Sequence, residues 1–179
     1  MTFDWQPILA GRTMSLRGLE AGDFDGLYAA ASDPEIWAGH PAKNRYKPDI
    51  FEGYFESLIK SGGTLVAREI ATNEIIGCSR YYKAHDRPGP IAIGYTFLIR
   101  KHWGGTSNYE MKNIMLKHAF KTYDEIWFHI DPANIRSQKA TLKIGAEFIE
   151  TVVRNLSGKQ LSWHCYKLNR DRWMELYPK

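Results

Sequence analysis

A glycine-containing segment, Trp103-Gly104-Gly105-Thr106-Ser107-Asn108, separates two stretches of different periodicity. Residues 91–99 are apolar and β-branched enough to form a strand, whereas helical spacing follows the glycines, at Met111, Ile114, Met115, His118 and Ala119. The order strand, glycine loop, helix directs unpaired backbone N–H groups and the positive end of a helix dipole to one place. Because glycine has no Cβ, an anion can approach this backbone closely. The segment therefore predicts a phosphate or pyrophosphate site, and a tight turn without a ligand is the alternative.

The loop fits neither of the common nucleotide-binding signatures. A Walker loop requires a glycine, four residues and then Gly-Lys-Ser or Gly-Lys-Thr, and a dinucleotide fingerprint requires three spaced glycines with an acidic residue after the next strand. Neither spacing occurs here. The remaining interpretation is a ligand whose pyrophosphate lies at the start of the helix, and coenzyme A is the first candidate.

Further short motifs accompany this loop in a fixed order. They are Gly94-Tyr95 in the strand, Arg100-Lys101-His102-Trp103-Gly104-Gly105-Thr106 in the loop, Glu110 in the helix, Asn134-Ile135-Arg136-Ser137, and Lys143-Ile144-Gly145-Ala146. With these motifs the chain resembles the GCN5-related N-acetyltransferase (GNAT) superfamily, and more narrowly the branch that contains the ribosomal-protein N-terminal acetyltransferases. The resemblance covers about residues 13–168.

Periodicity along the rest of the chain predicts the elements that must position this loop. Strands are predicted at residues 14–19, 64–70, 74–82, 91–99, 125–130, 146–155 and 160–168, helices at 24–31, 48–59 and 135–144 and after the glycine loop, and turns at 85–90 and 156–159. This order predicts an α/β (α+β) fold around one mixed sheet. The resemblance implies a mostly antiparallel sheet flanked by helices, with two central strands splayed apart at the cofactor site.

Length and composition bound the organisation of the molecule. With 179 residues, of which 44% are hydrophobic and 13% aromatic, the chain is expected to form one domain over residues 1–179 around one good core. The resemblance places that core at about residues 13–168. The first twelve residues and the tail after Arg172 are expected at the periphery.

Several classes of protein are disfavoured by the same composition. No run approaches the roughly 20 apolar residues of a membrane span, and the net charge of +4 is scattered rather than clustered into a nucleic-acid footprint. Cys78 and Cys165 lack Cys-x-x-Cys spacing, so neither a metal site nor a disulfide framework is indicated. We expect a soluble, cytoplasmic monomer or homodimer with no membrane or nucleic-acid partner.

The resemblance implies acetyl-CoA as the cofactor. The residues implied to bind it are Phe97, Leu98 and Ile99 along a strand edge, Trp103, Gly104, Gly105, Thr106, Ser107 and Asn108 in the loop, and Asn134. Asn134 is alternatively a turn residue or helix cap. Lys139 and Lys143 are alternatively nucleotide-phosphate ligands or part of a solvated helix face.

The sequence departs from the family pattern at three positions. Thr106 replaces the usual small last residue of the loop, Thr141 stands where many relatives carry a tyrosine general acid, and Ala92 stands where several carry a glutamate. A tyrosine acid and a carboxylate base at those positions are therefore absent.

Acetyl transfer to an amine requires a proton acceptor and a donor that polarises the thioester carbonyl. Backbone N–H groups near Leu98 are candidate oxyanion donors, His129 and Asp131 are candidate proton acceptors, and Ser137 is placed to hydrogen-bond the sulfur. His129 is alternatively a packed or surface residue, and Asp131 a cap before Pro132.

The resemblance places an acceptor pocket at the first helical region and the middle strand. Its candidate residues are Trp37, His40 and Tyr95, with Tyr46 as a further one, although aromatic residues in such positions are more often part of a core. Three functions follow as hypotheses. They are N-acetylation of a peptide or protein N-terminal α-amine, N-acetylation of a small amine such as an amino acid, polyamine or antibiotic, and non-catalytic acyl-CoA binding.

Overall fold

Eight strands form one sheet in the computed structural model, which describes residues 2–84, 90–156 and 159–177. The strands are β1 (Leu9–Ala10), β2 (Met14–Gly18), β3 (Thr64–Glu69), β4 (Ile75–Lys83), β5 (Ile91–Leu98), β6 (Glu125–Ile130), β7 (Glu147–Leu156) and β8 (Lys159–Asn169). Their order is β1-β2-β3-β4-β5-β6-β8-β7. All neighbours are antiparallel except β5 and β6, which are parallel. The predicted mixed, mostly antiparallel sheet is confirmed, and residues 85–89 and 157–158 of the two predicted turns lie outside the described residues.

Five helices flank the sheet. They are α1 (Phe24–Ala31), α2 (Pro48–Lys60), α3 (Ser107–Ala119), α4 (Ile135–Lys143) and α5 (Arg170–Leu176). Helix α2 begins at Pro48, and Gly145, with a φ of +93°, follows the end of α4. Both residue types are typical of these helix ends, as the sequence predicts. The predicted helices and strands are therefore confirmed to within one or two residues, and α5 was not predicted.

The two faces of the sheet carry separate apolar clusters. Leu65 and Ala67 of β3 pack toward α3, whereas the intervening Val66 packs with α1 and α2. This alternation is the period of two expected of a strand with both faces covered. The sheet thus lies between α1 and α2 on one side and α3 on the other.

A β-bulge in β5 shifts that alternation at the centre of the sheet. Ile91 and Ile93 pack toward α3, but beyond the bulge the residue on that side is Leu98. The partner register changes from Arg80 opposite Gly94 to Cys78 opposite Phe97, so that Tyr95 and Thr96 together face Ser79. The extra residue redirects every side chain beyond it.

Both chain ends pack on the core. The ring of Phe3 lies 5.2 Å from that of Tyr81, and Trp173 in α5 lies 5.4 Å from Phe120, centroid to centroid. These contacts correct the expectation that the first twelve residues and the tail are peripheral. The omission has a physical cause, since isolated aromatic residues without periodicity give no indication of where they dock.

Candidate active site

The candidate active site lies where β5 and β6 separate. These strands pair only at Ile91–Ile126 and Ala92–Trp127, so the predicted splay is confirmed. Beyond the paired positions, a cavity of about 930 Å³ opens between them. Of the residues predicted for the site, those that line it are Trp37, His40, Tyr95, Phe97, Leu98, Trp103, Gly104, Gly105, Asn108, His129, Asp131, Asn134 and Ser137. Ile99, Thr106 and Ser107 are not among the lining residues, and neither is Tyr46.

A row of unpaired backbone donors lies at one end of this cavity. Among the described residues, no protein acceptor receives a hydrogen bond from the N–H groups of residues 104–109, and the first helical bond of α3 is Glu110 N–H to Thr106 O at 2.8 Å. The N–H of Trp103 instead donates to Arg100 O at 2.9 Å. The donor row therefore begins at Gly104, one residue later than predicted. A Cβ built on Gly104 or on Gly105 would meet no atom within 4 Å, so the backbone there is open to a ligand.

The loop before α3 is anchored by side chains on both sides. His102 Nδ1 lies 2.8 Å from Ser107 Oγ, and its Nε2 lies 3.5 Å from the carboxylate of Glu69. The indole of Trp103 donates to Leu98 O at 2.9 Å. The guanidinium of Arg136 lies 3.8 Å from the Trp103 ring centroid. Ser107 thus positions the loop through its side chain, whereas the predicted role of this residue needs only its N–H.

Leu98 presents its backbone to the gap between the strands. Ile99 N–H donates to Ile76 O of β4 at 2.9 Å, and alternate residues of a strand direct their polar groups to opposite edges. The backbone N–H and C=O groups of Leu98 therefore point away from β4. This agrees with the hydrogen bond that the Trp103 indole donates to the Leu98 carbonyl oxygen. The side chain of Phe97 packs in the apolar cluster beneath α1 and α2.

A buried lysine lies behind the bulge, and it was not predicted. Lys112 of α3 is 7% exposed, and its Nζ donates to Thr96 Oγ1 and, at 3.1 Å, to Ser79 Oγ. Burial lowers the pKa of Lys112 to about 7. A signal was present in the sequence, because Lys112 shares the helical stripe of Met115, Leu116 and Ala119.

The three predicted catalytic candidates all reach the cavity but differ in their surroundings. His129 Nδ1 lies 2.9 Å from the hydroxyl of Tyr82, a residue that the sequence analysis missed. Asp131 Oδ1 accepts from Ala133 N–H at 2.8 Å, which is the turn role considered as its alternative. Ser137 N–H donates to Asn134 Oδ1 at 3.2 Å. Asn134 thus caps α4, and its side-chain NH₂ has no acceptor among the described residues.

The far end of the cavity is aromatic and positively charged. Trp37 is buried, and its indole donates to Ala31 O at 2.8 Å, so this residue is both core and cavity wall. The guanidinium of Arg45 lies 3.9 Å from the Tyr54 ring centroid, and that of Arg80 lies 4.4 Å from the Tyr95 ring centroid. Arg45 and Arg80 were not predicted, because neither belongs to a motif or a periodic stripe.

His40 has a defined tautomer at this end of the cavity. Its Nδ1 accepts a hydrogen bond from Ala42 N–H at 2.9 Å, so the neutral ring carries its proton on Nε2. Desolvation, with the positive charges of Arg45 and Arg136, lowers the pKa of His40 to about 4 against the opposing effect of Asp131. At neutral pH this side chain is therefore a hydrogen-bond donor rather than a base.

Neither a cluster of potential metal ligands nor a membrane-spanning helix occurs in the described part of the chain. Over residues 2–84, 90–156 and 159–177, no group of three or more His, Cys, Asp and Glu side chains is arranged to hold a metal ion. In the same part of the chain, no helix has the length and apolar character needed to cross a membrane.

Comparison with known proteins agrees with this geometry. A family model described as an acetyltransferase (GNAT) domain matches residues 13–147. A GCN5-related N-acetyltransferase from Brucella melitensis has a similar structure, with a TM-score of 0.77 and 19% identity over 94% of this chain and 80% of that one. An acetyltransferase of the GNAT family from Bacillus anthracis gives a TM-score of 0.73 and 15% identity over 92% and 99% of the two chains.

A third structure has a cofactor-derived ligand. Mycobacterium smegmatis RimJ in complex with CoA-disulfide gives a TM-score of 0.71 and 15% identity over 100% of this chain and 93% of that one. At these identities the likeness is one of fold. No curated protein matches the chain by sequence.

Proposed function

We propose that this chain, which belongs to the GNAT acetyltransferase family, transfers an acetyl group from acetyl-CoA to a primary amine. The observation that carries the proposal is the row of unpaired N–H groups of residues 104–109, at the mouth of the cavity between β5 and β6. Such a row at a helix N-terminus stabilises a pyrophosphate. The same cavity continues to an aromatic end that can receive a second substrate.

Several residues at the cofactor end of the cavity support coenzyme A as the ligand. Gly104 and Gly105 leave room for the pyrophosphate against the backbone, and Leu98 offers an N–H donor at the open edge of β5. The NH₂ group of Asn134 is available to the pantetheine arm, since only its oxygen is used in capping. When bound, acetyl-CoA supplies the acetyl group as an activated thioester.

Charge that develops on the thioester carbonyl needs a fixed donor. The Leu98 N–H is the candidate, because Leu98 directs its backbone polar groups away from β4 and toward the cavity. Ser137 remains the candidate for a hydrogen bond to the departing sulfur, as its hydroxyl lies on the cavity wall. A thiolate leaving group needs little acid assistance, since its reference pKa is about 8.5 by analogy with cysteine.

The attacking amine must reach the carbonyl in its neutral form. His40 is excluded as the base by its tautomer and its pKa of about 4. The pair His129 and Tyr82, joined at 2.9 Å, is the proposed route for the amine proton. Asp131 remains a second candidate through the carboxylate oxygen that Ala133 does not use.

Among amines, a peptide or protein N-terminal α-amine fits this site best. Its reference pKa of about 7.7 to 8.0 leaves a neutral fraction at physiological pH, so no strong carboxylate base is required. That agrees with Ala92, which stands where several relatives carry a glutamate. The narrower resemblance of the sequence motifs to the ribosomal-protein N-terminal acetyltransferases supports the same acceptor. A small amine on the same scaffold is the alternative.

Thiol release from acetyl-CoA tests the proposal. The purified chain is mixed with acetyl-CoA and either short peptides with free or blocked α-amines or small amines such as amino acids and polyamines. We expect turnover with free peptides and none with blocked ones. Turnover with small amines alone would favour the alternative acceptor, and absence of turnover with every amine would contradict the enzymatic proposal.

Substitution of His129 tests the proton route. His129→Gln keeps a polar side chain of similar size and should lower kcat by about tenfold to a hundredfold, while KM for acetyl-CoA stays constant. Tyr82→Phe keeps the ring against Tyr95 and should give a smaller loss. Unchanged kcat in both variants would move the base to Asp131 or to water.

A further inference from the structure

The acceptor end of the cavity holds more positive charge than negative charge. Arg45 and Arg136 line it, and the acidic residue among the lining residues is Asp131. Arg80 does not line it, but its guanidinium lies 4.4 Å from the ring centroid of Tyr95, which does. Arg136 already donates to Ile36 O at 2.9 Å, and Asp131 already accepts from Ala133 N–H. The unused charge is therefore that of Arg45 and Arg80.

The guanidinium of Arg45 contacts aromatic rings and no anion. Its guanidinium lies 3.9 Å from the Tyr54 centroid and 5.5 Å from that of Trp37. Among the described residues it forms no hydrogen bond or ion pair, although it lines the cavity. A guanidinium over an aromatic face keeps its N–H groups available at its own edge. A carboxylate or phosphate can accept from two of these donors at once.

Arg80 adds a second charge against two other rings of the cavity wall. It lies against Tyr95 and also 5.9 Å from the centroid of Tyr82. Its Nε is buried and has no hydrogen-bond partner in the described part of the chain. An unpaired buried N–H of a charged group is costly unless a ligand or water compensates for it. Tyr54, which Arg45 contacts, and Tyr95, which Arg80 contacts, both line the cavity.

His40 contributes a neutral donor next to these charges. Its ring lines the cavity and presents a proton on Nε2, and it lies 5.7 Å from Trp37, centroid to centroid. The polar side chains at this end are thus donors with a surplus of positive charge. A second cation on the substrate would be repelled, whereas an anionic oxygen would satisfy several donors.

We infer that the amine acceptor carries an anionic group, a carboxylate or a phosphate, and that Arg45 binds this group with Arg80 and the Nε2 proton of His40 in support. This inference rests on the proposed N-acetyltransferase activity and specifies its substrate class. It disfavours polyamines and polycationic antibiotics as acceptors. The anionic group can belong to a small amino acid, to a phosphorylated amine or to an acidic residue near a peptide N-terminus.

Matched acceptors separate these cases in the thiol-release assay. The pairs are β-alanine and propylamine, phosphoethanolamine and ethanolamine, and an Ala-Asp-Ala amide and an Ala-Asn-Ala amide, with 1,3-diaminopropane as the cationic member. We expect kcat/KM to be at least tenfold higher for the anionic member of at least one pair and lowest for the diamine. The preferred pair identifies the source of the anion. Equal values within every pair, or a preference for the diamine, would overturn the inference while leaving the acetyltransferase activity standing.

Substitutions of Arg45 test whether this residue binds the anionic group of the acceptor. Arg45→Gln should raise KM for the anionic acceptor by tenfold or more, leave KM for acetyl-CoA unchanged and reduce the preference within the pair to near unity. Arg45→Glu should favour the diamine. Lys43→Gln removes a positive charge from an exposed position in the same loop and should change none of these values. Retention of the preference in both Arg45 variants would assign the anion to another residue.

A direct binding measurement tests the anion site even if no amine is acetylated. That result would contradict the proposed function, and titration calorimetry of β-alanine and phosphoethanolamine in the presence of CoA then decides on the anion site alone. Binding that is lost in Arg45→Gln supports the site, and the absence of binding to the wild-type chain overturns it.

Discussion

Lys112 illustrates how one residue ties the fold to the site. Its amine is enclosed between α3 and the bulge of β5, where Ser79 and Thr96 accept its protons. These two hydroxyls also lie 2.7 Å from each other, and Ser79 Oγ donates to Gly94 O at 3.4 Å. The lysine therefore supports the backbone at the point where β5 leaves β6.

The titration of Lys112 makes stability depend on pH. Burial lowers its pKa from 10.5 to about 7, so between these values the unfolded chain binds a proton that the folded chain does not. The contribution of Lys112 to the free energy of unfolding therefore rises with pH between about 7 and 10.5. The rise is at most about 1.4 kcal/mol per pH unit. In urea unfolding at pH 7 and pH 9.5, the wild type should gain free energy of unfolding relative to Lys112→Met. Lys117→Met, an exposed position in the same helix, should show no such difference, and parallel behaviour of all three chains would contradict the buried amine.

Tyr95 occupies a backbone conformation that restricts the choice of substitution. Its φ is +53°, in the left-handed region that asparagine and glycine tolerate best, and its side chain is 40% exposed. Tyr95→Asn should therefore keep the bulge, because asparagine tolerates this conformation better than tyrosine or alanine. We expect Tyr95→Asn to raise KM for the amine by about tenfold or more, a loss of about 1.4 kcal/mol or more in binding, with little change in KM for acetyl-CoA. Equal changes in both KM values would assign Tyr95 to the core and the acceptor to another surface.

At the scale of elements, the order of strands and helices could be predicted because each has its own periodicity. The bulge could not, since it exists only in the pairing of β4 with β5 and is marked in the sequence by a single glycine, Gly94. A Cβ at Gly94 would lie 3.0 Å from the ring of Tyr82, so that glycine makes room for an aromatic wall of the cavity. Arg45 was missed for a related reason. It lies in an irregular loop, and its stacking partner Tyr54 comes from α2.

The predicted motifs also differ in their roles. Glu110 accepts from Thr13 N–H at 2.8 Å and from Thr13 Oγ1 at 2.6 Å, so it joins α3 to the turn before β2 and does not face the ligand. The hydrogen bonds from Thr13 lower the pKa of Glu110 despite burial, which by itself would raise it. The N-terminal strands thus hold the helix whose first turn carries the donor row.

The junction of loop and helix yields a prediction about the cofactor. Gly104 has a φ of +72°, so a side chain there would add strain, but Gly105 has no such restriction and an added Cβ would meet nothing within 4 Å. Gly105→Val should therefore leave the free energy of unfolding nearly unchanged and weaken CoA binding by about tenfold or more, as measured by calorimetry, because its methyl groups occupy the space of the pyrophosphate. Gly22→Val, also in open space but remote from the cavity, should bind CoA normally. Unchanged affinity in a folded Gly105→Val variant would show that the pyrophosphate lies elsewhere.

At the scale of the whole molecule, the site is assembled from most of the chain. Trp37 comes from the segment between α1 and α2, Leu98 from the centre of the sheet, and Ser137 from α4. Residues of this kind are brought together only by tertiary packing, so sequence motifs could place them in the site without giving the contacts among them. The same packing includes Phe3 and Trp173, and we propose one cooperative domain over residues 1–179.

Substitution of Trp173 tests that extent. In α5 its ring packs on Phe120, its indole Nε1 donates to Asn113 Oδ1 at 3.2 Å, and Leu176 of the same helix closes over Gly145. If α5 belongs to the domain, Trp173→Ala should lower the free energy of unfolding by about 2–4 kcal/mol, because a large half-buried aromatic side chain is removed from the core. The loss should appear as a single transition at lower denaturant concentration. Met174→Ala, on an exposed position of α5, should change stability by no more than about 0.5 kcal/mol. Since neither residue lines the cavity, CoA affinity of the folded variants should match the wild type, and an unchanged midpoint for Trp173→Ala would place the edge of the domain before α5.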